Sequence, residues 1–378
     1  MLGAVKPLIL FLMMTAILPG ADDYLVFFGT YTAKVSKGIH AYRFDPQTGK
    51  LTAIGTVAEA PNPSFLAVSP DRKFLYAVNW RGSDTVPGNT VSAYALDTAS
   101  GKLTFLNKSP SKGAAPTHLA LDETGKMLIT VNYDSGGVTS YQVGKDGRLS
   151  DPVSFDQHQG SSVVKQRQEG PHAHAVVFSA DNRFALVADL GLDEIFSYRV
   201  NPAKGSFEAN TPPFTKTTPG AGPRHLAFHP NRKYLYANNE INSTVTAYAY
   251  NEQAGTLKEI QTLTTLPPDF KESNSTAEIQ IDRAGKFLYV SNRGHDSIAV
   301  FAINGTDGRL TPVEHVSTQG KTPRNFSLDP TGGYLFAANE NSDTVVVFRV
   351  EGGTGRLTPT GQTLGVPSPS CVLFVRAR

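Results

Sequence analysis

Between residues 167 and 174 the chain reads Arg-Gln-Glu-Gly-Pro-His-Ala-His. These side chains suit acid–base chemistry on an anionic substrate. A histidine has an ordinary pKa of about 6.5 and can take or return a proton near neutral pH. An arginine stays charged and grips carboxylate or phosphate through a planar fork. His172 and His174 stand two residues apart, so in an extended chain they point the same way. That spacing would also suit a metal pair, but neither an aspartate nor a third histidine accompanies them. Cys371 is the only cysteine, which excludes an intrachain disulfide and speaks against a thiolate zinc site. Ser161 and Ser162 lack the Gly-x-Ser-x-Gly elbow of a serine hydrolase.

Such groups work only when a scaffold holds them, and here the scaffold is a repeat. Seven Gly-x-Leu/Phe turns punctuate the chain, at Gly49, Gly101, Gly147, Gly205, Gly255, Gly308 and Gly355. Asp146-Gly147 and Asp307-Gly308 favour the positive-φ turn that joins two antiparallel strands. Each turn follows an alternating strand such as Thr244-Val245-Thr246-Ala247-Tyr248, and period-two alternation marks a strand with one buried face. A second marker precedes that strand, as in Phe74–Asn79, Tyr234–Asn239 and Phe287–Asn292. Before it comes a shorter strand ending in a turn, such as Leu226–Asn231. Four short strands recurring about every fifty residues are the signature of a β-propeller blade.

Equivalent starts of the first strand fall at Ser64, Thr117, His174, Arg224, Ala277, Arg324 and Ser370. The turns and the starts are out of phase. The first turn has no first strand before it, and the last start has no turn after it. Joining the ends completes a blade, with Cys371–Val375 as its innermost strand and Tyr24–Ile54 supplying the other three. The fold expected is all-β: one seven-bladed propeller over residues 22–378, with four antiparallel strands per blade, closed by its own termini and leaving no open sheet edge.

First strands line the channel of a propeller, so their entrance residues converge. Three of those seven are His174, Arg224 and Arg324, where small residues would serve packing. Gathered like charges need a ligand or nearby acids. The end of the second strand gives another ring, Asn79, Asn132, Asp189, Asn239, Asn292 and Asn339, whose uniformity reads as turn structure. The residue after it varies: Trp80, Tyr133, Leu190, Glu240, Arg293, Glu340. Glu240 and Arg293 read as ligand-facing, and packing serves at least as well for Trp80 and Tyr133. The widest spacing between starts, 57 residues, precedes His174 and contains the Arg167–His172 stretch, a loop of the kind that carries function on a rigid scaffold. His118, His225 and His229 occupy repeat positions and read as structural.

The chain has 378 residues and a formal net charge of +2. With no Lys/Arg block, this argues against a nucleic-acid or membrane-surface partner. At the N-terminus, Lys6, the apolar run Leu8–Leu18 and Pro19-Gly20-Ala21 read as a signal peptide over residues 1–21. The run is too short to span a membrane. The mature protein is therefore expected to be exported, periplasmic or secreted, with a cytoplasmic location if the run is not a signal.

The motifs resemble the lactonase family of seven-bladed propellers, which includes bacterial 6-phosphogluconolactonase and fungal carboxymuconate cyclase. The resemblance covers nearly the whole mature chain. It rests on Phe28-Gly29-Thr30-Tyr31-Thr32, Arg167-Gln168-Glu169 with Pro171-His172-Ala173-His174, Ala188–Asp193, Gly222-Pro223-Arg224-His225 and Asn239-Glu240. Ala277-Glu278-Ile279, Ser291–Asp296 and Thr322-Pro323-Arg324-Asn325 complete it. It implies hydrolysis of a sugar-derived lactone by a channel-mouth histidine, a glutamate and arginines, with no cofactor or metal. Those roles fall on His174, Glu240, Arg224 and Arg293, with His172, Arg167 and Arg324 as substrate-binding residues. His174 is the expected base, with Glu240 orienting it or serving as the alternative base. Arg224 and Arg293 are expected at the carbonyl, and Arg324 and Arg167 on the substrate's anion. The expected partner is a small lactone met by a monomer. Two other readings share these features: a non-catalytic exported or cell-surface binding propeller, and a lactonising cycloisomerase of the muconate type.

Overall fold

The computed structural model describes residues 23–32, 35–82 and 88–377. The signal peptide expected over residues 1–21 lies outside them. Within them, 28 strands form seven four-stranded antiparallel sheets, and the one helical element is a 3-10 turn, Glu340–Ser342. Six sheets are built from consecutive strands. The seventh joins the ends of the chain: Pro369–Arg376 lies innermost and pairs with Tyr24–Thr30, followed outward by Gly38–Asp45 and Lys50–Glu59. Phe27 faces Leu373 and Val26 faces Phe374 in that closing register. The clasp expected from the offset between the two marker series is thus present, and the blades are numbered here from it, blade 1 to blade 7.

The core is distributed. Seven apolar clusters occur among the described residues, each between two neighbouring blades. Tyr234 and Tyr236 of blade 5, for example, pack with Ile279, Leu288 and Phe301 of blade 6. A second strand is covered on both faces, so Tyr234–Asn239 and Met127–Asn132 are buried throughout. An outer strand such as Thr256–Thr264 mixes half-buried with exposed positions.

The two sequence markers meet across these interfaces. Tyr76 Oη donates to Gly147 O at 3.0 Å, Tyr236 Oη to Gly308 O at 2.9 Å and Tyr289 Oη to Gly355 O at 3.0 Å. Each links a second strand to the turn glycine of the next blade. Gly308 has φ of 74°, and a Cβ there would come within 2.5 Å of the Tyr234 ring, so both backbone and neighbour require glycine.

Every innermost strand carries a β-bulge at the same place. Pro63 pairs with Asn79 and Phe65 with Val78, so Ser64 is left out of the ladder. Thr117, His174, Arg224, Arg324 and Ser370 are skipped in the same way, and in blade 6 Ala277 and Glu278 together oppose Ser291. The extra residue bends the strand and re-aims side chains, a device common beside active sites. The residues named from repeat alignment as channel-mouth positions are therefore the bulged ones.

Candidate active site

Six of the seven bulged residues, Ser64, Thr117, His174, Arg224, Arg324 and Ser370, line one pocket in the channel. Arg224, one of them, is 3% exposed. Its Nη1 donates to His174 Nε2 at 2.6 Å and to Glu240 Oε2 at 2.5 Å, while Nε donates to Ala277 O at 2.8 Å. Glu240 follows the second strand of the same blade, and its backbone N–H is held by Gly222 O at 2.7 Å. Arg293 Nη2 lies 2.9 Å from Glu240 Oε2 and donates to Thr276 O at 2.9 Å. Arg167 reaches across from the long loop and donates to Glu240 Oε1, with Tyr133 Oη 3.4 Å away. One carboxylate thus gathers three guanidinium groups. Arg324 stands apart, 3.7 Å from Glu340 Oε2 and with its guanidinium carbon 5.1 Å from the centre of the Tyr31 ring.

The hydrogen bonds fix the state of His174. A guanidinium only donates, so Nε2 accepts and the neutral ring carries its proton on Nδ1. Burial and then Arg224 hold the His174 pKa well below the usual 6.5. Nδ1 is buried with no hydrogen-bond partner among the described residues, and so is Arg293 Nε. Burial alone would push Glu240 upward, but Arg293, Arg224, His174 and Arg167 outweigh it and hold the carboxyl well below the usual range. Burial beside Arg293 lowers Arg224 to about 10, which leaves it a cation at neutral pH.

The seven residues expected from sequence do not all converge equally. His174, Arg224, Glu240, Arg293 and Arg167 form one contiguous network. Arg324 shares the pocket without joining that network. His172 is committed elsewhere: its Nδ1 donates to Tyr133 O at 2.8 Å, its ring stacks on Tyr133 at 4.6 Å, and Nε2 lies 3.5 Å from Glu169 Oε1. The expectation that Glu240 orients His174 needs correction. Glu240 is hydrogen-bonded to Arg224 and Arg167 and ion-paired with Arg293, so Arg224 Nη1 mediates between carboxylate and imidazole.

The long loop is pinned rather than loose. His158 is buried between Asp189 Oδ2 at 2.6 Å and Tyr198 Oη at 2.7 Å. Ser162 Oγ donates to Asp193 Oδ2 at 2.6 Å and Gln168 Nε2 to Leu190 O at 2.9 Å. These anchors present Arg167 to Glu240. The Asn/Asp ring is structural, as its uniformity implied, although its bonds reach other strands and loops. Asn79 Nδ2 donates to Thr90 and Ser92 hydroxyls, and Asn132 Nδ2 to Ser111 O and Gly137 O.

Sequence reasoning missed a second layer. Phe65, His225 and Asn325, each one residue past a bulged position, line the same pocket. His118 is packed at 4.0 Å from the Phe65 ring centre and 5.2 Å from that of His225. Glu278 lies behind His225, with 3.2 Å between Oε1 and Nδ1. The bulge was the missing signal, because strict alternation would turn these side chains away from the channel. His229, by contrast, is structural as expected and holds Gly285 O at 2.9 Å through Nε2.

With this geometry in hand, comparison with known proteins is informative. The family model described as "Lactonase, 7-bladed beta-propeller" matches residues 25–374. A 6-phosphogluconolactonase of Bacillus subtilis is 39% identical over 352 residues, covering 93% of this chain and 98% of its own. One from Formosa agariphila is 35% identical, covering 80% and 85% respectively. Among solved structures, the periplasmic gluconolactonase of Pseudomonas aeruginosa superimposes with a TM-score of 0.89 at 34% identity, covering 94% of this chain and 100% of that one.

Proposed function

This chain belongs to the lactonase family of seven-bladed β-propellers, and from that premise we propose that it hydrolyses a sugar-derived lactone bearing an anionic group. The supporting observation is a neutral histidine bonded into a cluster with an excess of guanidinium groups. Arg167, Arg224, Arg293 and Arg324 are set against the carboxylates Glu240 and Glu340. That surplus of positive charge suits a phosphorylated lactone better than a neutral one. The relatives named as 6-phosphogluconolactonases support the same choice.

His174 takes the proton of a water at Nε2 as that water's oxygen bonds to the lactone carbonyl carbon. Arg224 releases Nε2 by turning Nη1 toward the carbonyl oxygen as it becomes an oxyanion. Arg293 Nε–H, buried without an acceptor, is a second donor for that charge. The ring C–O bond then breaks, and the His174 imidazolium returns its proton to the departing alkoxide. The product is an open hydroxy acid. Glu240 holds Arg224, Arg293 and Arg167 in place and offsets the imidazolium while it exists. Arg324, with Arg167, binds the substrate's remote anion.

The test is a panel of aldonolactones, phosphorylated and unphosphorylated, with spontaneous hydrolysis subtracted. The expected result is turnover with higher kcat/KM for the phosphorylated member. No turnover across the panel would remove the lactonase reading and restore a non-catalytic propeller. The apolar run after Lys6 and the periplasmic relative support export. Protein recovered from its native cells should then begin near Asp22, and intact Met1 in a cytoplasmic fraction would refute that.

A further inference from the structure

Beside the bulged residues, His225 and Asn325 line the same pocket and both contact Glu278, and these contacts determine which atoms hold hydrogens. Asn325 Oδ1 accepts the backbone N–H of Val372 at 2.8 Å, so the amide orientation is set. Asn325 Nδ2 therefore donates to Glu278 Oε2. Glu278 Oε1 accepts the Ile279 N–H at 3.0 Å and lies 3.2 Å from His225 Nδ1. Only that last contact is undetermined. Either His225 Nδ1–H donates to a carboxylate, or a carboxylic acid O–H donates to a bare Nδ1. Ionised and 6% exposed, Glu278 would need a strong cationic partner, and its bonds are to an amide, a peptide N–H and a neutral imidazole. His225 is the weaker candidate for charge. Burial and Arg224 hold it well below 6.5, with Arg324 and Arg293 acting the same way and Glu240 opposing. Burial pushes Glu278 up to about 8, against the Ile279 N–H and Arg224, which favour ionisation.

We propose that His225 is a further substrate-facing hydrogen-bond donor of this lactonase and that Glu278 is its positioning residue, donating to Nδ1 so that Nε2–H is turned into the channel. This rests on the lactonase reading above for the identity of the acceptor, a single oxygen of the bound lactone entering this pocket, whose volume of about 10 Å³ holds no more than that. The ring of His225 lines the pocket with His174 and Arg224, and Nε2 makes no hydrogen bond to a described residue. The groups facing this pair are Arg224 from its own strand, Arg324 and Asn325 from blade 7, Cys371 from blade 1, and His118 and His174 from the blades on the other side. The Cys371 thiol is buried and pushed up to about 12, so it stays neutral through the relevant range.

The arrangement has a defined pH sign. As pH rises through about 8, Glu278 loses its proton. His225 then donates Nδ1–H to the carboxylate, and Nε2 becomes a lone pair facing the substrate oxygen. The donor is present below that pH and lost above it.

Nitrogen-15 NMR of the histidine side chains in the full protein reads the tautomer directly, with the signal assigned by its loss in His225→Phe. The expected result is Nε2–H at pH 7 and Nδ1–H above pH 9. Glu278→Gln, whose amide cannot ionise, should show one tautomer at both pH values, with no change between them. On a lactone that the wild type hydrolyses, His225→Phe should lower kcat/KM about tenfold, the scale of one hydrogen bond. Glu278→Gln should abolish the fall in kcat/KM above pH 8, an effect that loss of packing would not produce. Nδ1–H at pH 7, or unchanged kcat/KM in a folded His225→Phe, overturns the inference. The wild-type titration needs no variant, so it decides the Glu278–His225 relation even if Glu278→Gln does not fold. Absence of wild-type turnover would instead sink the lactonase reading and the lactone as acceptor with it, and the tautomer would then decide the Glu278–His225 relation alone.

Discussion

At the interfaces between blades, Tyr76, Tyr236 and Tyr289 make the same bond to the same kind of turn carbonyl. At the channel mouth the chain also repeats itself, but what recurs there is a backbone bulge, and the side chain it carries changes from Ser64 to His174 to Arg224 to Ala277. Repetition at the interface is a packing requirement, since each blade must bury its neighbour. Repetition of the bulge sets a direction, and the side chain is then free to do chemistry. Substitutions at the mouth should therefore remove activity and spare stability, whereas substitutions at the interface should do the reverse.

The largest contrast is expected at His174. His174→Ala should lower kcat by ~10²–10⁴-fold, the usual contribution of a positioned acid–base group, while leaving the melting temperature near that of wild type. The pH profile sharpens this. Burial and Arg224 favour the neutral ring, so protonation, which would silence the base, is shifted to lower pH. The kcat/KM profile should stay level between pH 6.5 and 7.5, with its acid limb below that range. An acid limb centred at or above 6.5 would take His174 out of the role of base, as would equal rates from two equally folded proteins.

A smaller effect, of a different kind, is expected from Arg324. It lies in the pocket yet outside the Arg224–Glu240 network, and its nearest carboxylate is 3.7 Å away. An anchor binds ground and transition states alike. Arg324→Ala should raise KM by roughly 10–100-fold, as for a hydrogen bond to a charged group, with a lesser change in kcat. The penalty should be larger for a phosphorylated lactone than for its neutral counterpart. A loss confined to kcat would place Arg324 at the carbonyl instead.

What could be read from the chain differs between these two regions. The blades, the clasp and the convergence of His174, Arg224 and Arg324 follow from counting, because a repeat places equivalent residues at equivalent radii. The bulges do not follow, since one residue skipped in a ladder leaves no mark on an alternating pattern. Without them, His225 is assigned to the fold when it lines the pocket, and Glu278 passes as part of a motif. The order of contacts was equally hidden. Glu240 was expected to orient His174 or to serve as the alternative base, and the long guanidinium of Arg224 mediates between them. Tyr133 could not be assigned because its position varies among the blades, and only the fold shows its ring stacked on His172.

The smallest effect tests the interface half of the comparison. Tyr236 is fully buried, and its hydroxyl donates to Gly308 O in the next blade. Blade 7 supplies an internal control, because Phe336 occupies the equivalent place in Tyr334-Leu335-Phe336 and is just as buried. Ring packing alone is therefore compatible with the position, and Tyr236→Phe removes one oxygen without opening a large cavity. What remains is a buried carbonyl that has lost a donor, at a cost of about 1–3 kcal/mol. Denaturant unfolding should report that loss, while kcat and KM on any hydrolysed lactone stay at wild-type values. Unchanged stability would mean that the Tyr–Gly contact recurs without contributing, and the interface would then rest on apolar burial alone. A fall in activity at unchanged stability would break the comparison itself, because it would join the outer part of the blade to the chemistry of the channel.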